Sequence, residues 1–182
     1  MQSTRNLAVA LQVAPAVVRL LTTELGESAQ AMLERALPEA VGALLAAESV
    51  EMPSNRHEIC IYLTTDAEIR EFNRVYRGVD HATDVLSFGY VSAGGSPPTE
   101  HDPIPLGDIV ISVETALRQA LPNGHNLLSE LLMLALHGTL HLMGYDDSTE
   151  TERAMMNARA ATTLRRLGYV ASEEWYSRYE DE

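Results

Sequence analysis

Large apolar residues at Leu7, Val9, Leu11 and Val13 alternate with smaller or polar ones, which predicts a strand over 7–13. Pro15 and Gly26 punctuate 14–26, where the pattern favours neither helix nor strand. The period then lengthens. Leu33, Leu37, Val41 and Leu44 fall on one face of a helix over about 28–46, with Pro38 expected to kink or split it. Residues 57–63 are β-rich and read as a strand. Thr65 and Glu68 make a capping box that opens a short helix ending before Gly78. Residues 84–88 and 107–111 read as strands on either side of a loop over 92–105, rich in Gly and Pro. Ser112 caps a helix to about 120, and Pro122, Asn123 and Gly124 form a turn.

The most apolar segment follows. Leu stands at 127, 128, 131, 132, 134, 136, 140 and 142, so a helix over 127–142 is apolar nearly all round and belongs in the middle of a domain. Gly144 ends it. Thr149 and Glu152 form a second capping box, and a last helix runs to Leu167 before Gly168. Strands and helices mix without a regular βαβ alternation, which predicts an α+β domain, a small sheet with helices around it. The expected organisation is one domain over 1–182, with a core at 7–170 and an acidic, solvated tail at 171–182.

Composition narrows the classes. Hydrophobic residues make up 46% of the chain, which excludes a disordered tail protein or a coiled coil. Cys60 is the only cysteine, so no disulfide framework or cysteine-based zinc site is available, and a reducing cytoplasm is the expected setting. No apolar run approaches the roughly 18 residues of a membrane span, and the alternation over 7–13 reads as a strand rather than a signal peptide. The formal charge is −13, and all 13 basic residues are Arg. That excludes a broad, sequence-independent grip on nucleic acid.

Local chemistry concentrates in His137-Gly138-Thr139-Leu140-His141-Leu142-Met143-Gly144-Tyr145-Asp146-Asp147. His137 and His141 are four apart on the apolar helix, so their rings lie one turn apart on one face, where two imidazoles can share a cation. Gly144 permits a sharp exit, and the chain folding back brings Asp146 or Asp147 toward the same ion. Three protein ligands with an open position is the pattern of a catalytic metal site. The spacing also matches the zinc-protease pattern H-E-x-x-H, but Gly138 stands where that mechanism needs its general-base Glu.

These residues resemble the YbeY family of bacterial endoribonucleases that mature ribosomal RNA, whose signature is H-G-x-L-H-L-x-G-Y-D-H. The chain matches it at His137, Gly138, Leu140, His141, Leu142, Gly144, Tyr145 and Asp146. A second block, 73–80 followed by 83–88, is similar to the family's N-x-x-Y-R-G-x-D and T-[DN]-V-L-S-F, and Leu106 to Ile111 resembles a third. The similarity extends from about residue 7 to 170. The resemblance implies an α+β fold with a small mixed sheet, and a zinc-like ion on the signature's three His positions. His137 and His141 are the first two, and Arg77 is the catalytic or RNA-contacting arginine. It further implies a metal-dependent endoribonuclease for single-stranded RNA, acting on rRNA precursors in the cytoplasm with the ribosome or ribosomal proteins as partners, and not on DNA.

The chain departs from the signature at its last His, which is Asp147. A carboxylate is a competent ligand, and its hardness admits Mn²⁺ or Mg²⁺ beside Zn²⁺. Val79, His81 and Ala82 stand where many members have Lys, Lys and Pro, which removes two possible phosphate contacts. Arg70, Arg74 and Arg77 share a helix face, where Arg70 and Arg74 are expected to pair with neighbouring carboxylates and Arg77 to grip phosphate. Asp84 and Asp108 stay open between structural and site roles, and Tyr145 reads as packing or as a donor behind the ligands. Two other readings stand beside the nuclease: a protease-like metallohydrolase, and a ribosome-associated binding module whose metal site is weakened through Asp147.

Overall fold

The computed structural model describes residues 7–48, 57–90 and 103–175. Its elements run β1 (Leu7–Val13), α1 (Pro15–Leu25), α2 (Ala29–Ala47), β2 (His57–Thr64), α3 (Asp66–Arg77), β3 (Val85–Gly89), β4 (Ile104–Ser112), α4 (Val113–Ala120), α5 (Leu127–Leu142) and α6 (Glu150–Arg166). The ambiguous stretch is α1, which Pro15 opens from the first turn, where its missing N–H costs nothing. Pro38 does not split α2. The helix stays continuous because Leu33, Leu37, Val41 and Leu44 all seat in the core. The first capping box is half made: Thr65 accepts from the Glu68 N–H, but the Glu68 carboxylate goes to the hydroxyls of Tyr62 and Thr64. The second, Thr149 with Glu152, is complete.

The four strands form one mixed sheet in the order β1-β2-β4-β3. β1, β2 and β4 are parallel and β3 closes the edge antiparallel to β4. The fold is therefore α+β with a small mixed sheet, as expected. β4 begins at Ile104, earlier than the pattern suggested, because a bulge opposite Glu58 and Ile59 absorbs the Pro105 region inside a central strand. Residues 92–102 of the anticipated loop lie outside the described residues.

Alternation along the strands divides the core in two. Ile59, Ile61, Leu63, Ile109 and Ile111 face the main core, shared with α1, α2, α5 and α6. Leu86 and Val110 face the other way, joining Ile69 of α3 and the half-buried Phe72 and Phe88 in a smaller cluster. α3 thus covers one face of the sheet and α5 the other. Every residue of α5 from Ser129 to Leu140 is buried, as its all-round apolar pattern predicts. The anticipated solvated tail is corrected in its first part. Ala171 and Trp175 are buried, and Trp175 is only 1% exposed, because the chain after α6 folds back onto the core. Residues 176–182 lie outside the described residues.

Candidate metal centre

α5 delivers two histidines at the point where it leaves the core. His137 is buried, and His141, one turn on, is half-buried. Gly144 then takes φ 93°, a left-handed conformation that favours glycine. Its N–H bonds the His141 carbonyl at 2.9 Å and the Tyr145 N–H bonds back to Leu140 at 3.1 Å. This closure turns the chain over the helix end. The two candidate aspartates separate here. Asp146 is exposed, and its carboxylate takes the Asp147 N–H at 2.8 Å and the Ser148 hydroxyl at 2.6 Å. Asp147 turns inward, its Oδ2 3.1 Å from His137 Nε2 and 3.4 Å from His141 Nε2.

The two Nε2 atoms are 3.0 Å apart, so three potential ligand atoms converge on one point. Bonds of about 2.0–2.1 Å to a tetrahedral zinc would set such atoms about 3.3 Å apart. The donor set and its spacing therefore fit a divalent cation. The tautomer fits as well. His141 Nδ1 lies 3.0 Å from the Tyr145 carbonyl, which only accepts, so in the neutral ring Nδ1 carries the hydrogen and Nε2 keeps the lone pair. Tyr145 is itself fixed: its hydroxyl donates to Glu48 at 2.6 Å, and the Arg159 guanidinium pairs with Glu48 and lies over the Tyr145 ring. Tyr145 therefore stands behind His141, through its carbonyl.

Electrostatics follow the geometry. Hydrogen bonds from His137 and then His141 hold the Asp147 carboxyl far below the usual carboxylate range, against the upward pull of burial. The His141 imidazole is raised, chiefly by its hydrogen bond to Asp147. Gly138 has a steric reason to be glycine: a Cβ there would lie 2.8 Å from Ile109 Cγ2 and 3.0 Å from Ser87 Oγ. α5 runs so close to β3 and β4 at this turn that a glutamate has no room.

The remaining candidates lie elsewhere. Arg70 pairs with Asp80 and Arg74 with Glu71, as solvated partners do, although Asp80 is off the helix. Arg77 ends α3, is exposed, and makes no hydrogen bond or ion pair among the described residues. It does not contact the histidine pair. Its neighbour Tyr76 leans edge-on against Phe88 of the edge strand β3, with ring centroids 5.1 Å apart. Asp108 faces the α3 side of the sheet and accepts from the Tyr90 hydroxyl. Asp84 is buried and takes the Val85 N–H and the Gln119 amide, a structural role. The sequence reading passed over Trp175, whose ring lies 5.2 Å from that of His137. No periodic pattern marks it, because it follows the last helix.

A family model described as "Endoribonuclease YbeY" matches residues 22–168. Curated relatives of the same description include one from Moorella thermoacetica, 48% identical over 128 residues, covering 69% of this chain and 82% of the relative. One from Desulfitobacterium hafniense is 41% identical over 141 residues, covering 76% of this chain and 85% of the relative. A third, from Heliobacterium modesticaldum, is 42% identical over 157 residues and covers 84% of this chain and 90% of the relative.

Proposed function

The chain belongs to the endoribonuclease YbeY family, and from that premise we propose a metal-dependent endoribonuclease that cleaves single-stranded RNA in rRNA maturation and ribosome quality control. The observation that carries the metal part is the convergence of His137 Nε2, His141 Nε2 and Asp147 Oδ2 within 3.4 Å of one another. These residues would hold one ion. Zinc suits two imidazoles, and the carboxylate also admits Mn²⁺ or Mg²⁺. Such an ion, when bound, polarises a phosphoryl oxygen and acidifies water.

The chain's own residues supply the rest. Asp147 would neutralise part of a bound cation's charge, and the Tyr145 carbonyl keeps neutral His141 in the tautomer that could ligate it. Arg77, unlike Arg70 and Arg74, has no carboxylate to satisfy among the described residues, so its guanidinium is free to take the charge developing on a phosphate. The acidic surface leaves little else to hold RNA, so the ribosome or its proteins deliver the substrate, in the cytoplasm, to a single catalytic domain over 1–182. A protease-like reading loses its general base at Gly138, where Ile109 and Ser87 close off the space.

The test is cleavage of single-stranded RNA by the zinc-loaded protein. His137→Ala should fall to background, and Arg77→Ala should lose about 100-fold while binding zinc as wild type does. Equal cleavage by wild type and His137→Ala overturns the assignment. Intact ribosome association without stoichiometric metal would instead favour a binding module.

A further inference from the structure

Taking His137 as a metal ligand, as proposed above, we infer that the segment after α6 is a built part of the metal centre, with Trp175 as a positioning residue that fixes the His137 ring and Glu130 as its anchor. The family model's match ends at residue 168, so Trp175 stands outside the residues it matches. The segment is nevertheless tied down at several points. Gly168 takes φ 89° and the Tyr169 N–H bonds back to Leu164 at 3.0 Å, which turns the chain off α6. The Ser172 N–H donates to His125 Nε2 at 3.0 Å. The carbonyl of Trp175 accepts from the buried Asn157 amide of α6.

The indole itself bridges two residues of α5. Trp175 Nε1 donates to Glu130 Oε1 at 2.7 Å, and its ring lies 5.2 Å from the His137 ring at 57°. Glu130 and His137 are seven apart, so they sit two turns apart on the same face of the helix. Glu130 is fully buried. Gln119 and Asn123 also donate to its Oε1, at 2.8 and 3.2 Å, and His125 Nδ1 donates to Oε2 at 2.6 Å. Because His125 Nε2 accepts from Ser172, the hydrogen must be on Nδ1, so the same carboxylate secures the segment at its start and at its indole. A carboxylate this deep is costly unless saturated with donors, and an apolar residue would pack the space without aiming anything. Its specific effect is to fix the indole against α5. The indole in turn restricts rotation of the His137 ring before any cation arrives, so less rotational freedom is lost on binding.

The experiment uses the full chain and zinc alone. Zn²⁺ affinity is measured by competition with a chromogenic chelator, well below the melting temperature, for wild type, Trp175→Leu and Trp175→Phe. Trp175→Leu should bind zinc about 10–100-fold more weakly, while Trp175→Phe, which keeps a ring against His137, should recover most of that loss. A merely structural role would lower the melting temperature of both variants and leave the zinc affinity of the folded protein unchanged, and that result overturns the inference. Trp175 is the only tryptophan, so wild-type emission gives a second measurement that needs no variant. Emission should change on zinc addition and saturate at the stoichiometry of binding. Zinc bound with emission unchanged counts against the contact. If wild type takes up no zinc, the metal reading fails, and the metal-free protein still decides the positioning role. The His137 imidazole resonances should be ring-current shifted in wild type and lose that shift in Trp175→Leu, and identical resonances in the two proteins sink it.

Discussion

The two ends of α5 carry the same residue types and do opposite things with them. Near its start, Glu130 and His125 meet in the interior, both side chains at 0% exposure, and both carboxylate oxygens and both ring nitrogens have a hydrogen-bond partner. At its end, His137, His141 and Asp147 meet at the surface of the core, with Asp147 about one-fifth exposed, and their ligating atoms point at one another. A carboxylate surrounded by N–H donors is satisfied and structural. A carboxylate and two imidazole nitrogens converging on one point form a donor set that a cation could complete. What separates structure from chemistry here is where the hydrogens are, and the backbone sets that: the Ser172 N–H fixes one tautomer and the Tyr145 carbonyl the other.

The comparison can be broken at either end. Glu130→Ala should be the most damaging change, because it removes the acceptor that four N–H donors share in the core. A loss of about 3–5 kcal/mol is expected, with a melting temperature lower by about 10 °C or more. Thermal and urea unfolding check it, and a mild effect would mean that the inner cluster is not structural. At the outer end, Asp147→Ala should weaken zinc binding about 10-fold or more while the zinc-free protein changes by no more than about 1 kcal/mol. Asp147→His should preserve or raise zinc affinity, and chelator competition on both variants tests whether Asp147 ligates. Between the ends, Gly138→Ala should cost about 1–3 kcal/mol, since the new methyl meets Ile109 and must push α5 off the sheet.

The smallest effect is that of pH. The raised His141 pKa contributes stability that is fully present below its unfolded value of about 6.5 and lost as pH rises through the folded value. The depressed Asp147 pKa contributes stability above about 3.9, lost as pH falls toward its folded value. The metal-free pair is thus strongest between about pH 4 and 6.5, where the proton holds the place of a cation. Zinc must displace that proton, so its affinity should fall about tenfold from pH 7.5 to 6. Zinc titrations at the two pH values measure it.

Much of this was legible in the chain. The strand at 7–13, the boundaries of α5, the stop at Gly78 and the second capping box follow from periodicity and cap chemistry, which are local. So does the His137–His141 pair, because four residues on a helix is a spatial statement. The choice between Asp146 and Asp147 was not local: it depends on how the chain turns after Gly144 and on which carboxylate the Ser148 hydroxyl occupies. The reason for Gly138 was equally hidden, since the atoms that exclude a side chain belong to β3 and β4, tens of residues away. Charge misled at the tail. Acidic residues around Trp175 suggested solvent, but the indole is satisfied by a glutamate 45 residues earlier.

By itself, the sequence determined most of the helices and strands, with α1 the exception, which helix is central, and that two imidazoles share a face, because each of these depends on neighbours within a turn or a pleat. Tertiary structure alone decided which aspartate joins them, which tautomer His141 holds, and that a tryptophan after the last helix lies against His137. Those outcomes depend on donors and acceptors brought together from distant parts of the chain, and no local period records such meetings.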